Sequence, residues 1–169
     1  MTVLENVVFG PLAGSSMSRE TATQKAMELL VKFGLGEFKD KYPGQLSGGM
    51  KRRAELAQAL INSPKVMILD EPFRGLDVMT RELMQEYYIK LYEETGLTTL
   101  FITSELEEAI FLADRILIMG GSPSRMVKEL EVDLPHPRTF DVLASERYLE
   151  IKKEALEALY GENAEQVCI

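Results

Sequence analysis

The chain has 169 residues, of which 46% are hydrophobic and 27% charged, with a net charge of −8. That is enough for one compact domain with a real core. The acidic balance excludes a broad basic face of the kind that neutralises phosphates, so no nucleic-acid partner is expected.

In chain order, "GPLAGSSMS" at 10–18 reads as a loop by composition. Ser18 caps a helix over 19–33, where Ala22, Ala26, Leu29, Leu30 and Phe33 recur at helical spacing. Gly34 and Gly36 stop it. "DKYPGQ" at 40–45 is a further turn. Ser47 opens a second helix with an apolar stripe of Met50, Ala54, Ala57, Leu60 and Ile61, which "NSP" at 62–64 ends. "KVMIL" at 65–69 has no polar alternation and reads as a strand buried on both faces. A helix follows Asp77, with Leu83, Met84, Tyr87 and Leu91 as its packing face and Gly96 as its stop. "LTTLFIT" at 97–103 is a second buried strand, "ELEEAIFLA" at 105–113 a helix and "RILIM" at 115–119 a third strand. "RMVKELEVDL" at 125–134 alternates like an edge strand or hairpin arm. Ser145 caps a last helix from 146 to 160.

Strands alternating with helices imply an α/β fold with a parallel sheet flanked by helices. Everything before residue 62 reads as helices only. The expected division is a helical lobe at 1–61, an α/β core at 62–134, and a C-terminal extension at 135–169 with a terminal helix.

The one cysteine, Cys168, permits no intrachain disulfide and fits a reducing compartment. No signal peptide is visible in "MTVLENVVFG". The longest apolar runs, such as "AIFLA" at 109–113, fall far short of the ~20 residues a membrane span needs. A cytoplasmic chain is expected, reaching a membrane only through a partner.

Two stretches carry chemistry. In "LSGGMKRR", glycines at a helix start let backbone N–H groups approach an anion, and Ser47 adds a hydroxyl. Basic residues in that first turn oppose the helix dipole unless an anion sits nearby. The plainer reading is a Gly-Gly turn before an ordinary capped helix. In "VMILDEP", Asp70 and Glu71 stand at the C-terminal end of a strand, where open α/β sheets bind ligands. Asp70 suits Mg²⁺, and Glu71 suits orienting or deprotonating an attacking water. The plainer reading is a solvated acidic turn.

Together these residues resemble the ATP-binding subunit of an ABC transporter. "LSGGM" resembles the signature motif, which implies nucleotide contact by Ser47, Gly48, Gly49 and Met50. "VMILDEP" resembles Walker B, with Asp70 as the metal-side acid and Glu71 as the catalytic glutamate. "GLD" at 75–77 resembles the D-loop, with Asp77 at its acidic position. "FITSELEEAIFLADRILIM" resembles the strand, switch and helix that follow. "SPSRMVKELEVDLPHPR" at 122–138 resembles the tail of the subgroup serving nitrate, sulfonate and taurine uptake. The resemblance implies a P-loop NTPase fold, present in part. It also implies ATP and Mg²⁺ as cofactors, a second ATP-binding subunit, transmembrane permease subunits, and a place at the inner face of the cell membrane.

The chain departs from that pattern. None of its 12 glycines is followed by lysine, so it holds no GxxxxGK[ST] phosphate loop. The glutamine loop and the adenine-stacking aromatic are also missing. Ser104, in Thr103-Ser104-Glu105, occupies the position of the family's switch histidine, and a serine cannot supply an imidazole. Arg74 and Gly75 replace small residues. His136, the only histidine, reads as a surface-loop residue. Three expectations follow: an incomplete importer ATPase, a non-hydrolysing partner that donates "LSGGM" to another subunit's site, or a decayed product without independent function. Under each, the chain alone is expected neither to bind nor to turn over ATP, and to fold marginally.

Overall fold

A computed structural model describes residues 1–161; Cys168 lies outside the described residues. Helix α1 (Val3–Ala13) starts on a reciprocal cap. The Thr2 hydroxyl accepts from the Glu5 amide at 3.2 Å, and the Glu5 carboxylate accepts from the Thr2 amide at 2.7 Å. It runs through Pro11 into the stretch that composition marks as a loop. Its end is closed by amides that follow it, Gly14 on the Gly10 carbonyl and Ser16 on the Pro11 carbonyl, both at 3.0 Å. Pro11 itself is buried, so packing overrides the local turn signal.

Helices α2 (Arg19–Lys32) and α3 (Gly48–Leu60) pack on α1. Val3, Val7, Ala22, Ala26, Leu30 and Ala57 share that core, and none is more than 1% exposed. Ser18 and Ser47 cap their helices as the sequence predicts.

The remainder alternates strand and helix: β1 (Val66–Asp70), α4 (Val78–Thr95), β2 (Thr98–Ile102), α5 (Leu106–Leu112), β3 (Arg115–Gly120) and β4 (Arg125–Glu131). A short 3₁₀ turn at 140–144 leads to α6 (Glu146–Gly161), capped by Ser145. β1 and β2 are parallel, Val66 opposite Thr98 and Asp70 opposite Ile102. β3 instead pairs antiparallel with β4 as a hairpin. Among the described residues these ribbons form two separate two-stranded sheets. The fold is α/β.

The strands depart from the sequence reading in two respects: β3 leaves the parallel pair for its own hairpin, and β1 and β2 are not buried on both faces. Met67 and the ring of Phe101 turn inward, where Phe101 meets Phe73 and Tyr88. Val66, Ile68, Leu100 and Ile102 face outward, each 46–66% exposed. Leu83 is likewise exposed on α4, because the inward face there is set by Met84, Tyr88, Ile89 and Leu91.

Candidate functional site

The signature stretch forms the start of α3. Ser47 is extended at the cap position, and its hydroxyl accepts from the Met50 amide at 3.3 Å. The Gly48 and Gly49 amides have no intrahelical acceptor, as in any first helical turn. The two glycines differ in surroundings. Gly48 is exposed beside Leu76, whereas Gly49 is buried against Thr80. Met50 packs its side chain against the core.

The basic residues after the motif are mostly structural. Arg52 pairs with Glu55 at 2.6 Å. Arg53 donates to the Phe33 carbonyl at 2.9 Å, at the end of α2, and lies 5.4 Å from the centre of the Tyr87 ring. Its charge thus answers the C-terminal dipole of α2 while joining α2, α3 and α4. Lys51 remains exposed.

β1 delivers Asp70, exposed, to its C-terminal end. Glu71 follows with φ at +45°, a left-handed conformation uncommon for a residue with a side chain. Its amide donates to the Ile102 carbonyl at 2.8 Å, continuing the ladder one step past the strand. Its Oε1 accepts from the Ser104 amide at 3.0 Å. The structure thereby brings Glu71 and the switch position together. Ser104 contributes its backbone, not its hydroxyl, to that bond. Both residues line a cavity of about 430 Å³ shared with Arg74, Arg81, Glu105 and Glu108.

Asp77 caps α4 with both oxygens. Oδ1 accepts from the Thr80 amide at 3.0 Å and Oδ2 from the Thr80 hydroxyl at 2.7 Å. The hydroxyl bond, then the amide bond, hold its carboxyl below the usual aspartate range.

Two features escape the sequence reading. Glu108, on the first turn of α5, is 5% exposed and accepts from the Gln85 side chain at 3.2 Å. His136 is not a plain loop residue. Its Nδ1 lies 2.6 Å from Glu93 Oε1 and its Nε2 3.0 Å from Asp114 Oδ1. Arg138, its side chain wholly buried, donates to the same Asp114 oxygen at 3.1 Å and to the carbonyls of Ala113 and Val132. The "PHPR" spacing was the only local signal, and the partners are 22 to 43 positions away.

The resemblance implies ATP and Mg²⁺. Among the described residues no three His, Cys, Asp or Glu side chains gather around a metal position. Asp70 offers one exposed carboxylate, which suits Mg²⁺ when phosphates and water complete its shell. The residues present therefore fit part of a nucleotide site. No described helix is long and apolar enough to cross a membrane.

A family model for ABC transporters matches residues 1–74, which contain both the signature and Walker B stretches. The chain is 37% identical to an aliphatic sulfonates import ATP-binding protein of Bacillus cereus, over 93% of this chain and 60% of that protein. It is 36% identical to a taurine import ATP-binding protein of Rhizobium johnstonii, over 95% and 63%. It thus spans about three fifths of the length of these relatives. Its fold matches an ABC transporter solved in an inward-facing conformation, with a TM-score of 0.72 at 22% identity over 95% of this chain and 58% of that one. With the signature and Walker B stretches in the matched segment and these relatives aligned along nearly its whole length, the chain is similar to the ATP-binding proteins of ABC transporters.

Proposed function

We propose that the chain acts in the energy-coupling subunit of an importer for sulfonate-, taurine- or nitrate-like solutes. It works with a second ATP-binding subunit and with transmembrane permease subunits, at the inner face of the cell membrane. The relatives' names support the sulfonate- and taurine-like part of this class.

In this reading the site residues serve two nucleotides. Asp70 holds the Mg²⁺ that accompanies ATP, a cofactor that neutralises phosphate charge. Glu71 orients or deprotonates the attacking water. Both act on a nucleotide held by a phosphate loop outside this sequence. Ser47 and the exposed Gly48 amide face the nucleotide of the second subunit, with Asp77 nearby, and Ser104 stands where a switch group would meet the γ-phosphate. The observation that carries the reading is the placement of Asp70 and Glu71 at the C-terminal end of the parallel pair, with Glu71 and Ser104 sharing one cavity.

Titration of the purified chain with a fluorescent ATP analogue tests it. The chain alone is expected to show no binding tighter than about millimolar and no turnover. Mixed with the phosphate-loop segment of the Bacillus cereus relative, it is expected to gain both, and Glu71→Gln abolishes turnover while sparing binding. Micromolar binding by the chain alone, or turnover indifferent to Glu71→Gln, overturns the assignment. A second reading, a non-hydrolysing donor of "LSGGM", draws support from Ser104, whose hydroxyl takes no part in the Glu71 contact. Binding without turnover in the mixture selects it.

A further inference from the structure

The second signature glycine faces a side chain of this same chain. An ideal Cβ built on Gly49 would lie 2.6 Å from Cγ2 of Thr80, closer than real Cβ atoms come to a neighbour. Such a clash is cheap only when the neighbour can swing away, and Thr80 cannot do so freely. It is β-branched, with a stiff first torsion. Its hydroxyl is held on Asp77 Oδ2 at 2.7 Å, and its amide on Asp77 Oδ1 at 3.0 Å. Turning the methyl off Gly49 would break the hydroxyl bond that completes the cap of α4. One position earlier, a Cβ on Gly48 would lie 3.0 Å from Cδ2 of Leu76. The starts of α3 and α4 therefore meet along a seam two residues long, with glycine on one side and residues flanking Asp77 on the other.

We propose that Thr80 is a positioning residue that locks the signature helix to the acid of the D-loop stretch, so that the α3 start and the Asp77 carboxylate move as one rigid unit. Gly49 is then required by the Thr80 methyl rather than by a nucleotide. Gly48, exposed, remains the residue whose amide can meet an anion. The lock runs in order: Asp77 fixes the Thr80 rotamer, the rotamer fixes the methyl, and the methyl fixes how close α3 approaches. The nucleotide role of this unit rests on the function proposed above, but the lock itself does not.

Hydrogen exchange on the full 169-residue chain tests the lock without nucleotide. Gly49→Ala is expected to speed exchange of the Thr80 amide by about tenfold or more, although that amide belongs to a different helix. Thr80→Ser removes the methyl and keeps the hydroxyl. In the Gly49→Ala/Thr80→Ser chain, exchange is expected to return to within about threefold of the parent. Should Gly49→Ala alone fail to fold, folding of the double variant is the rescue. Two results overturn the proposal: a Thr80 amide unmoved by Gly49→Ala, or a double variant no better than the single. Failure of the ATP titration with a successful exchange rescue would defeat the proposed function and leave the lock standing.

Discussion

The backbone amide of Ser104 donates to Oε1 of Glu71 at 3.0 Å, tying the turn after β2 to the residue after β1. Because the donor is a main-chain group, the bond does not depend on the side chain at 104. Ser104→Ala is therefore expected to change stability by less than about 0.5 kcal/mol, the range of exposed substitutions. Ser104→Pro deletes the donor and is expected to cost about 1 kcal/mol or more. Denaturant midpoints of the two variants check this. Equal midpoints would mean the amide bond contributes nothing to the fold.

Glu71 sits at φ +45°. A β-branched residue there is strained, whereas glycine is not. Glu71→Gly and Glu71→Val both lose the carboxylate, so their difference isolates the backbone. Glu71→Gly is expected to be more stable than Glu71→Val by about 1–2 kcal/mol. The comparison is made by chemical denaturation of both variants. If Val is tolerated as well as Gly, the left-handed turn is not a constraint of the folded chain.

The helix starts were legible because caps act locally. Ser18, Ser47, Asp77 and Ser145 each bond an amide three residues on, as their identities suggest. The family and the acid pair were legible for the same reason: each motif is a short run. What could not be read depends on distant chain. "KVMIL" has the composition of a strand covered on both faces, but what lies over Val66 and Ile68 is not written in the strand itself. The Glu93 and Asp114 partners of His136 come from two distant stretches, and Arg138 joins the cluster only through Asp114. The difference between Gly48 and Gly49 arises only when α4 packs beside α3.

The outward face of β1 and β2 is apolar, through Val66, Ile68, Leu100 and Ile102. Parallel strands are normally covered on both faces, and an open apolar edge invites association. Ile68→Thr/Leu100→Thr is expected to lower binding of a hydrophobic dye and raise the monomer fraction in light scattering. Helix content by circular dichroism should stay the same, since neither side chain is in the core. Unchanged dye binding would place the sticky surface elsewhere, for instance on Leu117, Met119 and Met126 of the β3–β4 hairpin.

Asp114 joins the residues after β4 to the core, and its protonation should control that junction. Burial raises its carboxyl pKa, but hydrogen bonds from Tyr92 and His136 and the charge of Arg138 outweigh this, leaving it below the usual range. A carboxyl depressed in the folded state favours folding only while ionised. Its contribution is fully present above the ordinary aspartate value of about 3.9, and is lost as pH falls through the lowered folded value. Asp114→Asn should therefore be clearly less stable than the parent at pH 7. The gap should narrow as acid protonates Asp114 in the parent. Part of the loss at neutral pH comes from Arg138, whose wholly buried guanidinium would keep its carbonyl partners but lose its counter-charge. His136→Gln should cost less, because the glutamine amide can still donate to a carboxylate that His136 meets. Melting temperatures of the three chains between pH 3 and pH 8 test the argument. A gap between parent and Asp114→Asn that is constant across that span would show that the Asp114 charge does not act through its ionisation.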